Sequence, residues 1–263
     1  MLASPRVVAR VDAPDQFVSP TRSAHRYLRA AVYRAHRGLT SRTVYEVMHS
    51  GAWLPVSAWD DSGAWKRLID WINKDCPNVG GRLIITPTLF DRLNGPDGLR
   101  RIAKGAARVD AHGNGRGRLW EAGDGPIVVV WPEERTVQNC VRTVAGLPQQ
   151  SIILLEEAVL DAQSFQGWAS AVGAFNAEKG QHEHSHPDLE EQLDTILTGY
   201  ENELALAPIS RAYTTSAAIL REKLQAVSAG GFDEDFVVTY AIALGYQGDL
   251  ERLRRHYSAA RQN

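Results

Sequence analysis

The sequence predicts an α/β protein: a parallel sheet of at least three strands flanked by helices, with a small helical N-terminal region and an all-helical C-terminal region. Two observations predict this. Residues 82–87 (RLIITP), 126–132 (PIVVVWP) and 151–157 (SIILLEE) are short, continuous, apolar and largely β-branched runs. Such runs mark strands covered on both faces. Each is followed by a stretch of helical spacing, at 97–107, 133–145 and 162–177. Alternation of strand and helix is how parallel sheets are connected. The expected division is a basic helical region at 1–78, an α/β core at 79–178 and a helical region at 179–263.

The elements follow in order. Residues 1–20 are punctuated by Pro and Ser and show no long periodicity. Residues 22–37 (RSAHRYLRAAVYRAHR) read as a helix with Tyr27, Leu28, Ala31, Val32 and Ala35 on one side. Arg22, Arg26, Arg29, Arg34 and Arg37 fall on the other. Gly38 ends it, and Thr40 or Ser41 can cap a second helix over 41–49, stopped by Gly51. A third helix is expected over 61–74, carrying Trp65, Leu68, Ile69 and Ile72. Residues 112–118 (HGNGRGR) read as a basic turn between the first two strands, and 179–187 as a polar loop. Only helices are expected beyond it. Leu189, Leu193, Ile196 and Leu197 keep helical spacing, as do Leu220, Leu224 and Val227, and two shorter helices follow near 233–244 and 248–260.

Composition excludes several classes. Of 263 residues, 44% are hydrophobic and 23% charged, close to the globular average rather than that of a disordered chain. Two cysteines, Cys76 and Cys140, are too few for a disulfide scaffold or a four-thiolate zinc site. No apolar run has membrane-spanning length, and residues 1–17 lack the apolar core of a leader. A cytoplasmic protein with free thiols is expected.

The net charge of −2 hides two opposite halves. Residues 1–118 hold 19 Lys+Arg against 10 Asp+Glu, a net of +9, and residues 119–263 hold 10 against 21, a net of −11. A positive front of this kind suits a polyanion, though folding can also interleave the charges. The helix pair at 22–37 and 41–49 has helix-turn-helix proportions. Its segment LTSRTVYEVMHSGAWLP superficially resembles the recognition region of small winged helix-turn-helix proteins. That resemblance implies that Arg42, Thr43, Glu46 and His49 project toward base edges. The arginines of helix 22–37 would sit on phosphates, with Arg116 and Arg118 of the basic turn as further contacts. The alternative is an amphipathic helix with a solvated arginine face.

Two further constellations carry chemistry. In an open parallel sheet, ligands bind beyond the carboxyl ends of the strands. Those ends carry Thr86, Glu133 and Glu134, and Glu156 and Glu157. Converging carboxylates can hold a divalent metal or act as an acid–base pair, which supports a metal-assisted hydrolase of phosphate compounds. Equally, Glu133 and Glu134 can simply open a helix, where negative charge suits the dipole. The run IILLEE resembles the acidic strand end of nucleotide-hydrolysing ATPases, yet the phosphate-binding G-x-x-x-x-G-K-[ST] is absent. The second constellation is His182, His184 and His186. Spaced by two, they face one way only in extended chain, where they can bind a metal. Asp188 and Glu191 read as a capping box opening the next helix. No resident cofactor is expected, a divalent metal at either constellation being the alternative. Residues 241–259 resemble a tetratricopeptide-type helix pair, which implies a docked protein partner.

The sequence therefore favours a nucleic-acid-associated or regulatory protein using its basic N-terminal helices. The alternatives are the metal-assisted hydrolase and an adaptor that docks partners on its C-terminal helices. No membrane partner is expected.

Overall fold

A computed structural model describes residues 49–76, 78–87, 95–111, 124–145, 147, 150–157, 164–206 and 212–262. The chain divides into two units, Met1–Thr43 and Val44–Asn263. The helices read at 22–37 and 41–49 and the turn at 112–118 lie outside the described residues, apart from His49.

The described residues form a mixed α/β fold around one seven-stranded sheet in the order β3-β2-β4-β5-β1-β6-β7. The strands are β1 (Ser50–Leu54), β2 (Leu83–Thr86), β3 (Ala107–Asp110), β4 (Ile127–Val130), β5 (Ser151–Leu155), β6 (Phe175–Asn176) and β7 (Gln181–His182). All neighbours are parallel except the β6–β7 hairpin. The helices are α1 (Ser62–Asp75), α2 (Asp97–Ala103), α3 (Glu134–Val144), α4 (Gln166–Val172), α5 (Pro187–Leu206), α6 (Ala212–Ala229), α7 (Glu234–Ala243) and α8 (Leu250–Arg261).

Period-two alternation sorts every central strand into two cores. Ala52, Leu54, Ile84, Val128, Val130, Ile153 and Leu155 face the layer of α1 and α2, with Trp65, Leu68, Leu99 and Ile102. Trp53, Leu83, Ile85, Ile127, Val129, Ile152 and Leu154 face the opposite layer, built from α3, α4 and the C-terminal helices. Burial on both faces explains why the strand sequences are apolar throughout. In the second layer α7 packs against α3, α4 and α8. Val237 to Leu244 are all buried, so α7 is enclosed on every side beyond its acidic first turn. Gly167 permits the close crossing of α4 on α7, since a Cβ there would overlap the Phe236 carbonyl oxygen and the Thr239 hydroxyl.

Two parts of the sheet differ from the sequence reading. Residues 50–54 (SGAWL), in which Gly51 reads as a helix stop, form β1, paired with β5 on one side and β6 on the other. Tertiary pairing overrides the weak strand propensity of Gly51 and Ala52. Gly51 is needed there because a Cβ would meet the Trp168 ring and the Ile152 carbonyl. Within the described part of the helix expected at 162–177, only α4 is helical. Gly173 turns left-handed at φ 57° and ends it, and the chain returns as β6 and β7. Helix α5 opens on Pro187, whose missing N–H is harmless in a first turn, so Asp188 lies inside the helix and is no capping residue. No helix among the described residues is long and apolar enough to cross a membrane.

Candidate functional site

The parallel strands deliver Thr86, Trp131, Glu133, Glu134, Glu156 and Glu157 to the carboxyl-end rim, but each acidic group there has a separate setting. Glu156 is buried, and its Oε1 accepts the Phe165 N–H at 2.7 Å just ahead of α4. Burial pushes its carboxyl above the ordinary value, against smaller opposing effects of the Phe165 N–H, the Trp53 indole and the Val56 N–H. Glu157 is half-buried. Glu133 is exposed and stands at the N-cap of α3. Glu134 is buried and ion-paired to Arg254 of α8, which also binds Asp235 at 2.5 Å and Glu234 at 2.8 Å. Burial raises the Glu134 carboxyl despite Arg254. Among the described residues, no three His, Cys, Asp or Glu side chains are grouped so as to hold a metal ion.

The β1–α1 connection, which follows a central strand, carries PVSAWDD without a glycine. Asp61 caps α1, accepting the Gly63 N–H at 2.7 Å. A carboxylate thus occupies the helix start where a phosphate-binding loop would present free N–H groups.

The three histidines have three environments. His182 lies on β7 with Nδ1 2.9 Å from the Gly173 carbonyl and its ring edge-on to Phe175. His184 is exposed, and its carbonyl accepts the Ser170 hydroxyl. The His186 ring packs edge-on against Phe232 and Phe236.

Of the residues read as nucleic-acid contacts, Arg22, Arg26, Arg29, Arg34, Arg37, Arg42, Thr43, Arg116 and Arg118 lie outside the described residues. His49 is buried and does not project outward. Its ring stacks on Trp168 with centroids 5.8 Å apart, and its Nε2 has no partner among the described residues. Position 49 leads straight into β1, so its side chain is drawn into the layer beneath α4.

The sheet edge holds a basic group that the sequence reading did not single out. Arg101, Lys104 and Arg108 are exposed, and none has an ion-pair partner among the described residues. Arg101 is on α2 and Lys104 caps it. Arg108 is on the outer strand β3, opposite Ile84. Ile84 faces the α1–α2 layer, whereas Val109 packs on the other core. Arg108 therefore stands on the same side of the sheet as α2. Arg100 is paired with Asp97. The group went unread because it straddles a helix–strand boundary; its only sequence signal was its share of the front-half charge.

No family model, curated protein or solved structure matches the chain.

Proposed function

We propose that this chain is a nucleic-acid-associated protein that holds a phosphate backbone through the positive charge of its first 118 residues. The observation that carries the reading is the trio Arg101, Lys104 and Arg108. These are three solvated cations without ion-pair partners among the described residues, on one side of the sheet's outer edge. Unpaired surface guanidinium and ammonium groups bind phosphates by releasing condensed counterions, a mode that needs no base contact. The basic residues at 22–42 and 116–118 add to the same front-half excess. Part of what the hydrolase and adaptor readings rest on is already used by the fold. Glu156 accepts a backbone N–H, Glu134 is tied to Arg254, and Val237 to Leu244 of the C-terminal helices are buried.

Titration of a generic DNA duplex at increasing salt tests the proposal. Affinity falls log-linearly with salt, and the triple variant R101Q/K104Q/R108Q lowers the slope by about 2.7, three contacts at about 0.9 each. Absence of binding at low salt refutes the reading. An unchanged slope in the variant removes the sheet edge from it.

A further inference from the structure

Beside the basic edge, α1, α2 and the turn Val79–Gly81 enclose a half-open cavity of about 210 Å³. Ile69, Ile72, Val79 and Ile102 line its apolar part, and Asn73, Arg82 and Arg101 line a polar part of similar extent. The two arginines differ. Arg82 acts as a strut: its Nε donates to the Ile102 carbonyl at 2.5 Å, Nη1 to the Val79 carbonyl at 2.7 Å and Nη2 to the Lys104 carbonyl. It fixes the turn against α2 with three of its five N–H groups. Arg101 has no ion-pair partner among the described residues and belongs both to the cavity and to the basic trio.

We infer that the cavity seats one unstacked base of a single-stranded nucleic acid whose phosphates run along Arg101, Lys104 and Arg108. This rests on the phosphate-binding reading above and adds a preference for single strands. The charge of the edge selects an anion, and the apolar walls select a ligand with a flat uncharged part attached to that anion. The cavity is smaller than the ~300 Å³ at which drug-sized sites begin. A single ring system therefore suits it better than a larger ligand. Guanidinium planes are a known platform for splayed bases, and the Asn73 amide can both donate to and accept from a base edge. In a duplex the bases are stacked inward and cannot enter.

The test compares a single-stranded oligonucleotide with an abasic phosphodiester of equal length, by fluorescence anisotropy on the full chain at fixed salt. The expected result is about tenfold tighter binding of the base-bearing strand. V79F or I69F, each filling the cavity, should reduce that strand to the abasic affinity while abasic binding is retained. Two fillers from different elements guard against one failing to fold, checked by thermal melting. Equal affinity of the two strands for the unmodified protein overturns the inference and leaves phosphate binding standing. A base preference that survives both folded fillers also overturns it. Failure of both strands to bind overturns both readings.

Discussion

His49 allows a quantitative test of the core beneath α4. The imidazole is buried, no charged group among the described residues contributes to its titration, and burial lowers its pKa from 6.5 to about 4. The folded state thus takes up the proton less readily than the unfolded chain. The resulting stability is fully present above pH 6.5 and is lost progressively as pH falls toward 4. At about 1.36 kcal/mol per pH unit, the whole effect is on the order of 3 kcal/mol, most of which is gone by about pH 4.5. Glu134 and Glu156 are shifted upward and act in the opposite sense over the acid range, so the unmodified protein alone mixes the effects. H49F isolates the imidazole. It keeps an aromatic ring against Trp168 and removes a buried nitrogen that has no partner among the described residues. Urea unfolding of both proteins at about pH 7.5 should give H49F equal or slightly greater stability. At about pH 4.5, H49F should gain about 2–3 kcal/mol on the unmodified protein. A stability difference that stays constant between the two pH values would refute the reasoning, because it requires an imidazole already solvated or charged when folded.

Two further expectations concern how the C-terminal helices are attached. G167A forces a Cβ into the Phe236 carbonyl oxygen and the Thr239 hydroxyl, where backbone has to move. It should lose about 1–3 kcal/mol or more in urea unfolding, and near-neutral behaviour would deny the close α4–α7 crossing. R254M leaves Glu134 buried without its cation and should lose about 3 kcal/mol, whereas the double variant E134Q/R254M should recover most of that. Equal loss in the single and double variants would show that Arg254 acts by packing rather than by charge.

The strands richest in β-branched residues were the legible part of the fold. Ile84 and Ile85, Val128 to Val130, and Ile152 to Leu155 advertise burial on both faces, and each lies in a strand. Strand β1 was hidden because its Gly51 and Ala52 are chosen for lack of bulk. One avoids the Trp168 ring, and no local propensity records that demand. The two-residue pairs β6 and β7 are too short for any periodicity to register. Among candidate site residues, the spacing of His182, His184 and His186 gave alternation without environment. The hairpin and Phe232 and Phe236 supply separate surroundings from distant parts of the chain. Glu156 was legible as a strand-end carboxylate, but its acceptance of the Phe165 N–H depends on where the chain re-enters at α4.

The unequal cover of the sheet has a consequence for synthesis on the ribosome. The side packed by α1 and α2 is complete once Ala177 has been made. The other side waits for residues as late as Ala260. At about 5–20 residues per second, the 83 residues between them take roughly 4 to 17 s to translate. During that interval Leu83, Ile85, Ile127, Val129, Ile152 and Leu154 are incompletely shielded by the chain made so far. The nascent protein should therefore depend on chaperone capture most strongly in its last third.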